Sequence, residues 1–184
     1  MRHLRDSVYP PRWDGESQRA PECDFACSKL TLDTIWTVAQ RVSLNDVKVG
    51  DHFVTGARTI DANEIVAFAE QFDPQPAHLD EEQAKTTLFG GLAASGWHTA
   101  AITMRLLVDS AVPLSGMLVG LGGEIAWKKP VRPGDTLQVH CEILHVTPSR
   151  SRPDQGVITF RCETRNQRDE VVQIFDAKIL APRA

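Results

Sequence analysis

Residues 72–98 read FDPQPAHLDEEQAKTTLFGGLAASGWH, and this stretch carries most of what the sequence says about fold and chemistry. It begins where one apolar helical pattern ends and finishes where a second one starts. Between these patterns, Pro74 and Pro76 fix their own φ angles and disfavour the α conformation at the residue before each. We therefore expect a stiff, extended turn that holds the side chains of Asp73 and His78 in a fixed relation.

An acid, an imidazole and backbone amide donors together suit proton transfer beside a polarised carbonyl group. Asp73 and His78 supply the acid and the imidazole. Ser95 and Gly96 precede a long apolar helix, whose first N–H groups have no intrahelical partner and can face an anionic oxygen. An Asp and a His in one loop are also typical of a helix cap or a solvated turn, so the pair alone does not define a site.

Eight positions of the stretch follow a longer pattern: Asp73, Pro76, His78, Asp80, Ala84, Phe89, Gly90 and Gly96. This pattern closely resembles the signature of the MaoC-like dehydratases, the (R)-specific enoyl-CoA hydratase family. That signature is roughly D-x-N-P-x-H-x-D, then Ala, then Phe-Gly, then a Gly that opens the central helix. The resemblance extends from about Val49 to the C-terminus. Gln75 departs from it, because the family usually has Asn there and Gln adds a methylene.

The resemblance implies an α+β hot-dog fold, in which an antiparallel sheet wraps around a long central helix. It also implies an enoyl-CoA hydratase, which adds water reversibly to a trans-2-enoyl thioester and gives a 3-hydroxyacyl thioester. Asp73 and His78 would be the catalytic pair, Ser95 and Gly96 would position the thioester and stabilise its oxygen, and Gln75 would support the turn. The expected assembly is a homodimer or a dimer of dimers, and no cofactor is expected beyond the coenzyme A of the substrate.

Two other functions stay open at this point. Hot-dog thioesterases commonly place an Asp or Glu on or beside the central helix; residues 97–108 contain no acid, although Asp73 could substitute. A non-catalytic subunit that binds acyl-CoA or an acyl carrier is also compatible with the sequence, because of the Gln75 departure and the long N-terminal extension.

Composition limits the class of protein. The 184 residues suffice for one domain, and 24% charged with 42% hydrophobic residues is typical of a soluble globular protein. A formal charge of −4 argues against nucleic-acid binding, and no apolar run is long enough for a membrane span. The N-terminus, MRHLRDSVYPPRWDG, lacks the apolar core of a secretory signal, so we expect a cytoplasmic protein.

The cysteines do not indicate a metal site. Cys23, Cys27, Cys141 and Cys162 have no zinc-ligand spacing with each other or with histidine. We expect reduced thiols and no bound metal.

The pattern of elements divides the chain into an extension and a domain. Residues 1–45 are irregular, and we expect partial order with one short helix over residues 30–42. The domain, residues 46–184, is predicted to begin with a strand, His52–Thr59. Three helices should follow: one from the Asp61 cap to Phe72, a short one at Glu81–Thr86 capped by Asp80, and a buried one from Gly96 to about Ser110, which is apolar around most of its circumference. The last four elements are predicted strands, Met117–Lys128, Asp135–Thr147, Val157–Asn166 and Val171–Leu180.

The turns between the last four strands favour antiparallel pairing of successive strands. Lys128, Lys129 and Arg132 form a basic cluster beside the first of these turns. They could contact the phosphates of coenzyme A, and a solvated turn is an equally simple interpretation.

Overall fold

The computed structural model describes residues 44–110 and 119–183. Most of the predicted extension, including the helix over residues 30–42, lies outside the described residues. The helices are α1 Ala62–Phe72, α2 Pro76–Leu79, α3 Glu81–Lys85 and α4 Gly96–Asp109, after a single 3₁₀ turn at Leu44–Asp46. The strands are β1 His52–Thr59, β2 Val119–Trp127, β3 Thr136–Pro148, β4 Gln155–Arg165 and β5 Val171–Pro182. None of the helices described here is long and apolar enough to cross a membrane.

Side-chain caps begin the helices at the predicted places. The Asp61 carboxylate accepts a hydrogen bond from the Glu64 backbone N–H at 2.8 Å and starts α1. In the same way the Asp80 carboxylate accepts from the Gln83 N–H at 2.8 Å and starts α3. Each cap satisfies a donor that has no partner inside its helix. The interpretation of Asp80 as a structural residue agrees with this contact.

Within the described residues, five strands form one antiparallel sheet in the order β1-β3-β4-β5-β2. The strands β3, β4 and β5 pair successively, as predicted. The expected pairing of β2 with β3 is wrong: β2 pairs with β5 at the opposite edge of the sheet. The inward-facing side chains of β3 and β4 form much of the core, including Leu137, Val139, Ile143, Ile158 and Phe160.

The segment that joins β2 to β3, residues 128–135, crosses from the β2 edge of the sheet, past β5 and β4, to the strand next to β1. The N–H groups of Lys128 and Lys129 donate to the Val172 carbonyl at 2.8 and 3.3 Å, and the Val131 carbonyl accepts from the Ala94 N–H at 2.9 Å. A turn at residues 132–135, with Gly134 at a φ of +86°, then redirects the chain into β3. This crossing places residues 128–131 beside the N-terminus of α4.

Helix α4 packs its inner face against the sheet, and its outer face is exposed in the single chain. Ile102, Thr103 and Leu106 on the inner face are buried. Trp97 and Val108 on the outer face are 60% and 64% exposed. The expectation that this helix is buried around most of its circumference is therefore wrong for the isolated chain. The apolar sequence of a helix does not show which of its faces packs against the same chain and which is left for another molecule.

A chain of hydrogen bonds between polar side chains lies between α4 and the sheet. The Gln173 amide N–H donates to the Thr103 hydroxyl at 3.0 Å, and the hydroxyls of Thr103 and Thr164 are 2.7 Å apart. The Thr103 hydroxyl also donates to the Thr99 carbonyl at 2.9 Å. Gln173 and Thr164 are fully buried. Buried polar groups of this kind stabilise a fold only while every partner is present.

We predict that Thr103→Val destabilises the protein by about 1–3 kcal/mol, because it leaves Gln173 and Thr164 without one of their buried partners. The measurement is the free energy of unfolding in urea. Thr147→Val, at an exposed position of β3, serves as the control and should change stability by less than about 0.5 kcal/mol. Equal effects of the two substitutions would contradict a stabilising role for the buried network.

Candidate active site

Asp73 ends α1, and both of its carboxylate oxygens accept hydrogen bonds. Its backbone N–H donates to the Ala69 carbonyl at 2.9 Å, which fixes the main chain. The Ser95 hydroxyl donates to Oδ2 and the Gln75 amide donates to Oδ1, each at 2.6 Å. These two hydrogen bonds, with a smaller contribution from the nearby His78, lower the pKa of Asp73. The group is therefore a carboxylate at neutral pH.

His78 lies on the one-turn helix α2 and is buried, with 5% of its surface exposed. The expected extended turn is therefore only partly correct: Gln75 is extended, with φ −93° and ψ 144°, but Pro76 begins a helical turn. Proline restricts the residue before it and is compatible with the first turn of a helix itself. This turn directs His78 inward, toward Asp73.

The two ring nitrogens of His78 have different partners. Nδ1 lies 2.7 Å from the Ala93 carbonyl oxygen, and Nε2 lies 3.6 Å from Asp73 Oδ2. Because a carbonyl oxygen can only accept, Nδ1 must carry the hydrogen of this bond. In the neutral form of the ring, the lone pair of Nε2 therefore lies on the side of the carboxylate, where it can accept a proton.

Ser95 connects this pair to the central helix. Its hydroxyl donates to Asp73 and also accepts a hydrogen bond from the Trp97 N–H at 3.2 Å, so that Ser95 is the N-cap of α4. Gly96 follows as the first residue of the helix, where the backbone N–H has no intrahelical acceptor and the helix dipole is positive. The predicted residues Asp73, His78, Ser95 and Gly96 thus lie together.

A pocket of about 530 Å³ opens at this place. Its lining combines the polar groups already described with aromatic side chains and the crossing segment: Asp73, Gln75, His78, Phe89, Ala94, Gly96, Trp97, Thr99, Trp127, Lys128, Lys129, Pro130 and Val131. The volume lies within the range of small-molecule sites.

The three residues of the basic cluster have different positions. Lys128 and Lys129 line the pocket, and the Lys129 ammonium group lies 2.5 Å from a Glu170 carboxylate oxygen. The Arg132 guanidinium instead donates to the carbonyls of Phe89, Gly91 and Leu92, which favours a structural role in the loop after α3. A contact with coenzyme A phosphates stays a prediction.

The sequence analysis did not assign the aromatic residues of the pocket to the site, although Phe89 belongs to the family signature. The rings of Trp97 and Trp127 make an edge contact with centroids 5.4 Å apart, and the Phe89 ring lies 5.7 Å from the His78 ring. Trp127 is the last residue of β2, where the crossing begins. An aromatic residue directly before Lys-Lys-Pro at a strand end is the signal that could have identified it.

A second buried histidine, His98, lies on α4 outside this pocket. Its ring stacks on Phe68 with centroids 4.6 Å apart, and its Nε2 lies 3.9 Å from a Glu64 carboxylate oxygen. Burial, together with the positive charge of Arg58, lowers the pKa of His98 to about 4. The ring is therefore neutral at physiological pH.

The fold and the pocket define a class: a hot-dog domain with an acid and a buried imidazole at the N-terminus of its central helix. Residues 45–162 match the MaoC like domain family. The chain therefore belongs to the MaoC-like dehydratase family, and the predicted family and hot-dog fold are confirmed.

Named relatives cover most of this chain. It is 31% identical to the uncharacterized protein YdeM of Bacillus subtilis over 75% of this chain and 96% of that protein. It is 30% identical to the (R)-specific enoyl-CoA hydratase of Rhodospirillum rubrum over 74% of this chain and 90% of that protein. The crystal structure of a MaoC-like dehydratase from Rhodospirillum rubrum has 54% sequence identity and a TM-score of 0.76, covering 78% of this chain and 98% of that one.

The lowered pKa of His98 predicts how stability depends on pH. The unfolded chain binds a proton near pH 6.5 and the folded chain near pH 4, so the free energy of unfolding should decrease as pH falls between these values. The loss amounts to at most about 3 kcal/mol. His98→Phe, which keeps an aromatic ring against Phe68, should flatten this dependence in urea unfolding from pH 7 to 4. If the free energy of unfolding of His98→Phe depends on pH as steeply as that of wild type, another group causes the dependence.

Proposed function

We propose that this protein is an acyl-CoA hydratase/dehydratase, which adds water reversibly to a trans-2-enoyl thioester. The observation that carries the proposal is the position of the two His78 ring nitrogens relative to their partners. Its Nδ1 is committed to the Ala93 carbonyl, so Nε2 is the proton acceptor, 3.6 Å from the Asp73 carboxylate. The name of the Rhodospirillum rubrum hydratase supports the same reaction class.

In the proposed reaction, a water molecule lies between Asp73 and His78. His78 Nε2 takes a proton from the water as its oxygen bonds to C3 of the enoyl group, and the resulting imidazolium is stabilised by the Asp73 carboxylate. The acid–imidazole pair then returns a proton to C2, so that the net change is addition of one water molecule. The lowered pKa of Asp73 supports His78 as the base, because a weakly basic carboxylate stabilises a cation better than it removes a proton.

The thioester oxygen gains negative charge as water attacks C3. We assign the Gly96 N–H to this oxygen, because it is the first amide of α4 and lines the same pocket. A single donor of this kind is typically worth about 3–4 kcal/mol in the barrier. The Ser95 cap keeps the helix terminus in place.

We propose that the acyl group of the substrate is carried by coenzyme A. Lys128 and Lys129 line the pocket and have flexible cationic side chains that suit phosphate oxygens. Lys129 would exchange its contact with Glu170 for such a phosphate.

We predict that Asp73→Asn and His78→Gln each reduce the hydration of crotonyl-CoA by several orders of magnitude. The two groups act as one unit, so the double variant should be little worse than either single variant. The measurement is the loss of enoyl-thioester absorbance. Because His78 is buried and hydrogen-bonded, each variant also needs a thermal unfolding measurement to show that it is folded.

Asp80→Asn is the matched control for this experiment. Asp80 caps α3, and its replacement should cost at most about 1 kcal/mol of stability while nearly retaining turnover. A folded Asp73 or His78 variant that hydrates enoyl-CoA substrates within about tenfold of wild type would overturn the catalytic assignment. Release of free thiol by wild type would instead indicate a thioesterase, and binding of acyl-CoA without turnover would indicate a binding subunit.

We also propose that two copies of the chain form a dimer. Met104 and Val108 on the outer face of α4 are 44% and 64% exposed, and β2 is an edge strand on which Leu121 is exposed. Exposed apolar groups and open strand edges are typical of protein interfaces. A second copy of the chain would cover the outer face of α4 and the open edge of β2.

Light scattering at micromolar concentration should therefore give a mass of at least twice 20.4 kDa. Val108→Glu should shift the protein toward monomer, because it places a charge on the apolar outer face of α4. Ala67→Glu, which adds the same charge at an exposed position of α1, is the control and should leave the mass unchanged. A strict monomer for wild type would contradict the proposal.

A further inference from the structure

Arg132 binds the loop that connects α3 to the buried residues 92–95. Its Nη1 donates to the Gly91 carbonyl at 2.6 Å and to the Leu92 carbonyl at 3.0 Å, and its Nη2 donates to the Phe89 carbonyl. The planar guanidinium has its N–H donors in a fixed fork, so one side chain can bind several converging carbonyl oxygens. A lysine, whose donors all lie on one nitrogen, cannot reproduce this geometry. The three contacts thus fix the path of the backbone from Phe89 to Leu92.

The same loop contacts His78 on two sides. The Phe89 ring packs against the imidazole with centroids 5.7 Å apart. The carbonyl of Ala93, the residue directly after Leu92, lies 2.7 Å from Nδ1 and determines which ring nitrogen carries the hydrogen. A shift of the loop would therefore change both the packing of the imidazole and its hydrogen bond.

Arg132 holds the part of this segment that comes before the main-chain contacts of Ala93 and Ala94. The N–H groups of those two residues donate to carbonyls of neighbouring segments. Before them, the Leu92 N–H donates to the Glu81 carboxylate at 3.1 Å, and Arg132 binds the Leu92 carbonyl. Leu92 is buried, and a buried carbonyl that loses its donor is unfavourable. Removal of the guanidinium would therefore disturb the backbone next to the His78 acceptor.

We propose that Arg132 is a positioning residue of the active site, which sets the orientation of His78 through the loop at residues 89–92. This inference rests on the proposed function for the role of His78 as the base. Arg132 does not line the pocket formed by the described residues, and its guanidinium binds carbonyls of the chain itself, so it is no phosphate contact. A reacting group must be held within a narrow geometry, and a misplacement of about 1 Å can cost about 100-fold in rate.

A substrate without phosphates separates positioning from the binding of coenzyme A. Arg132→Lys keeps the positive charge but loses the fork, so kcat for crotonyl-CoA should fall about tenfold while KM stays within about threefold of wild type. Crotonyl-pantetheine, which has no phosphate group, should show the same loss of kcat. A wild-type kcat in Arg132→Lys, or a rise in KM for crotonyl-CoA alone, would overturn the proposal.

Two further variants are the controls for this comparison. Arg150→Lys makes the same change at an exposed position between β3 and β4, and it should leave kcat unchanged with both substrates. Lys128→Ala removes a proposed phosphate contact, so it should raise KM for crotonyl-CoA without affecting crotonyl-pantetheine. An equal loss of kcat in Arg150→Lys would show that the effect of Arg132 is not specific and would overturn the assignment.

Nuclear magnetic resonance of His78 tests the inference without turnover. In full-length protein labelled with ¹⁵N-histidine, wild type should show a His78 ring with its hydrogen on Nδ1, and His78→Gln identifies the signals by their loss. Arg132→Lys and folded Arg132→Ala should shift or weaken the Nδ1–H signal, because the bond to the Ala93 carbonyl is disturbed. Unchanged His78 signals in both variants would overturn the proposal. If wild type hydrates no substrate but the variants change these signals, the hydratase proposal fails and the positioning role of Arg132 is supported.

Discussion

The Ser95 hydroxyl makes two hydrogen bonds on which the arrangement of the site depends. It accepts from the Trp97 N–H and so fixes where the central helix begins, and it donates to Asp73 and so fixes where the acid lies. One fully buried atom therefore sets the distance between the carboxylate and the Gly96 amide. A site that must place a water molecule and a thioester oxygen together depends on such a fixed relation.

The backbone on either side of Ser95 extends the same constraint to the imidazole and the pocket wall. The Ala93 carbonyl accepts from His78, and the Ala93 N–H donates to the Ala77 carbonyl at 3.1 Å. The next residue, Ala94, donates to the Val131 carbonyl of the crossing segment. Four successive buried residues, 92–95, thus bring the helix, the histidine and the crossing segment together. Because these contacts use main-chain atoms, substitution of the alanine side chains would affect them only through packing.

Local interactions account for what was predictable from the sequence. The caps at Asp61 and Asp80 and the pairing of Asp73 with His78 depend on residues close together in the chain or on a motif with fixed spacing. The position of β2 was not predictable, because the turn at residues 132–135 is compatible with either a hairpin or a crossing. The position of Trp127 in the pocket was also not predicted, since it depends on a contact with Gln173, 46 positions later, and on the absence of a side chain at Gly96.

The contact between the two indoles in the pocket has a spectroscopic consequence. Trp97 and Trp127 are the tryptophans of the described residues, and both line the pocket with their rings 5.4 Å apart. Trp127 is held by two hydrogen bonds from its ring nitrogen, whereas Trp97 is more exposed. Tryptophan emission shifts with the polarity around the ring, so a molecule that displaces water from this pocket alters the fluorescence of the protein itself. The site thus contains its own optical reporter of occupancy, without an added label.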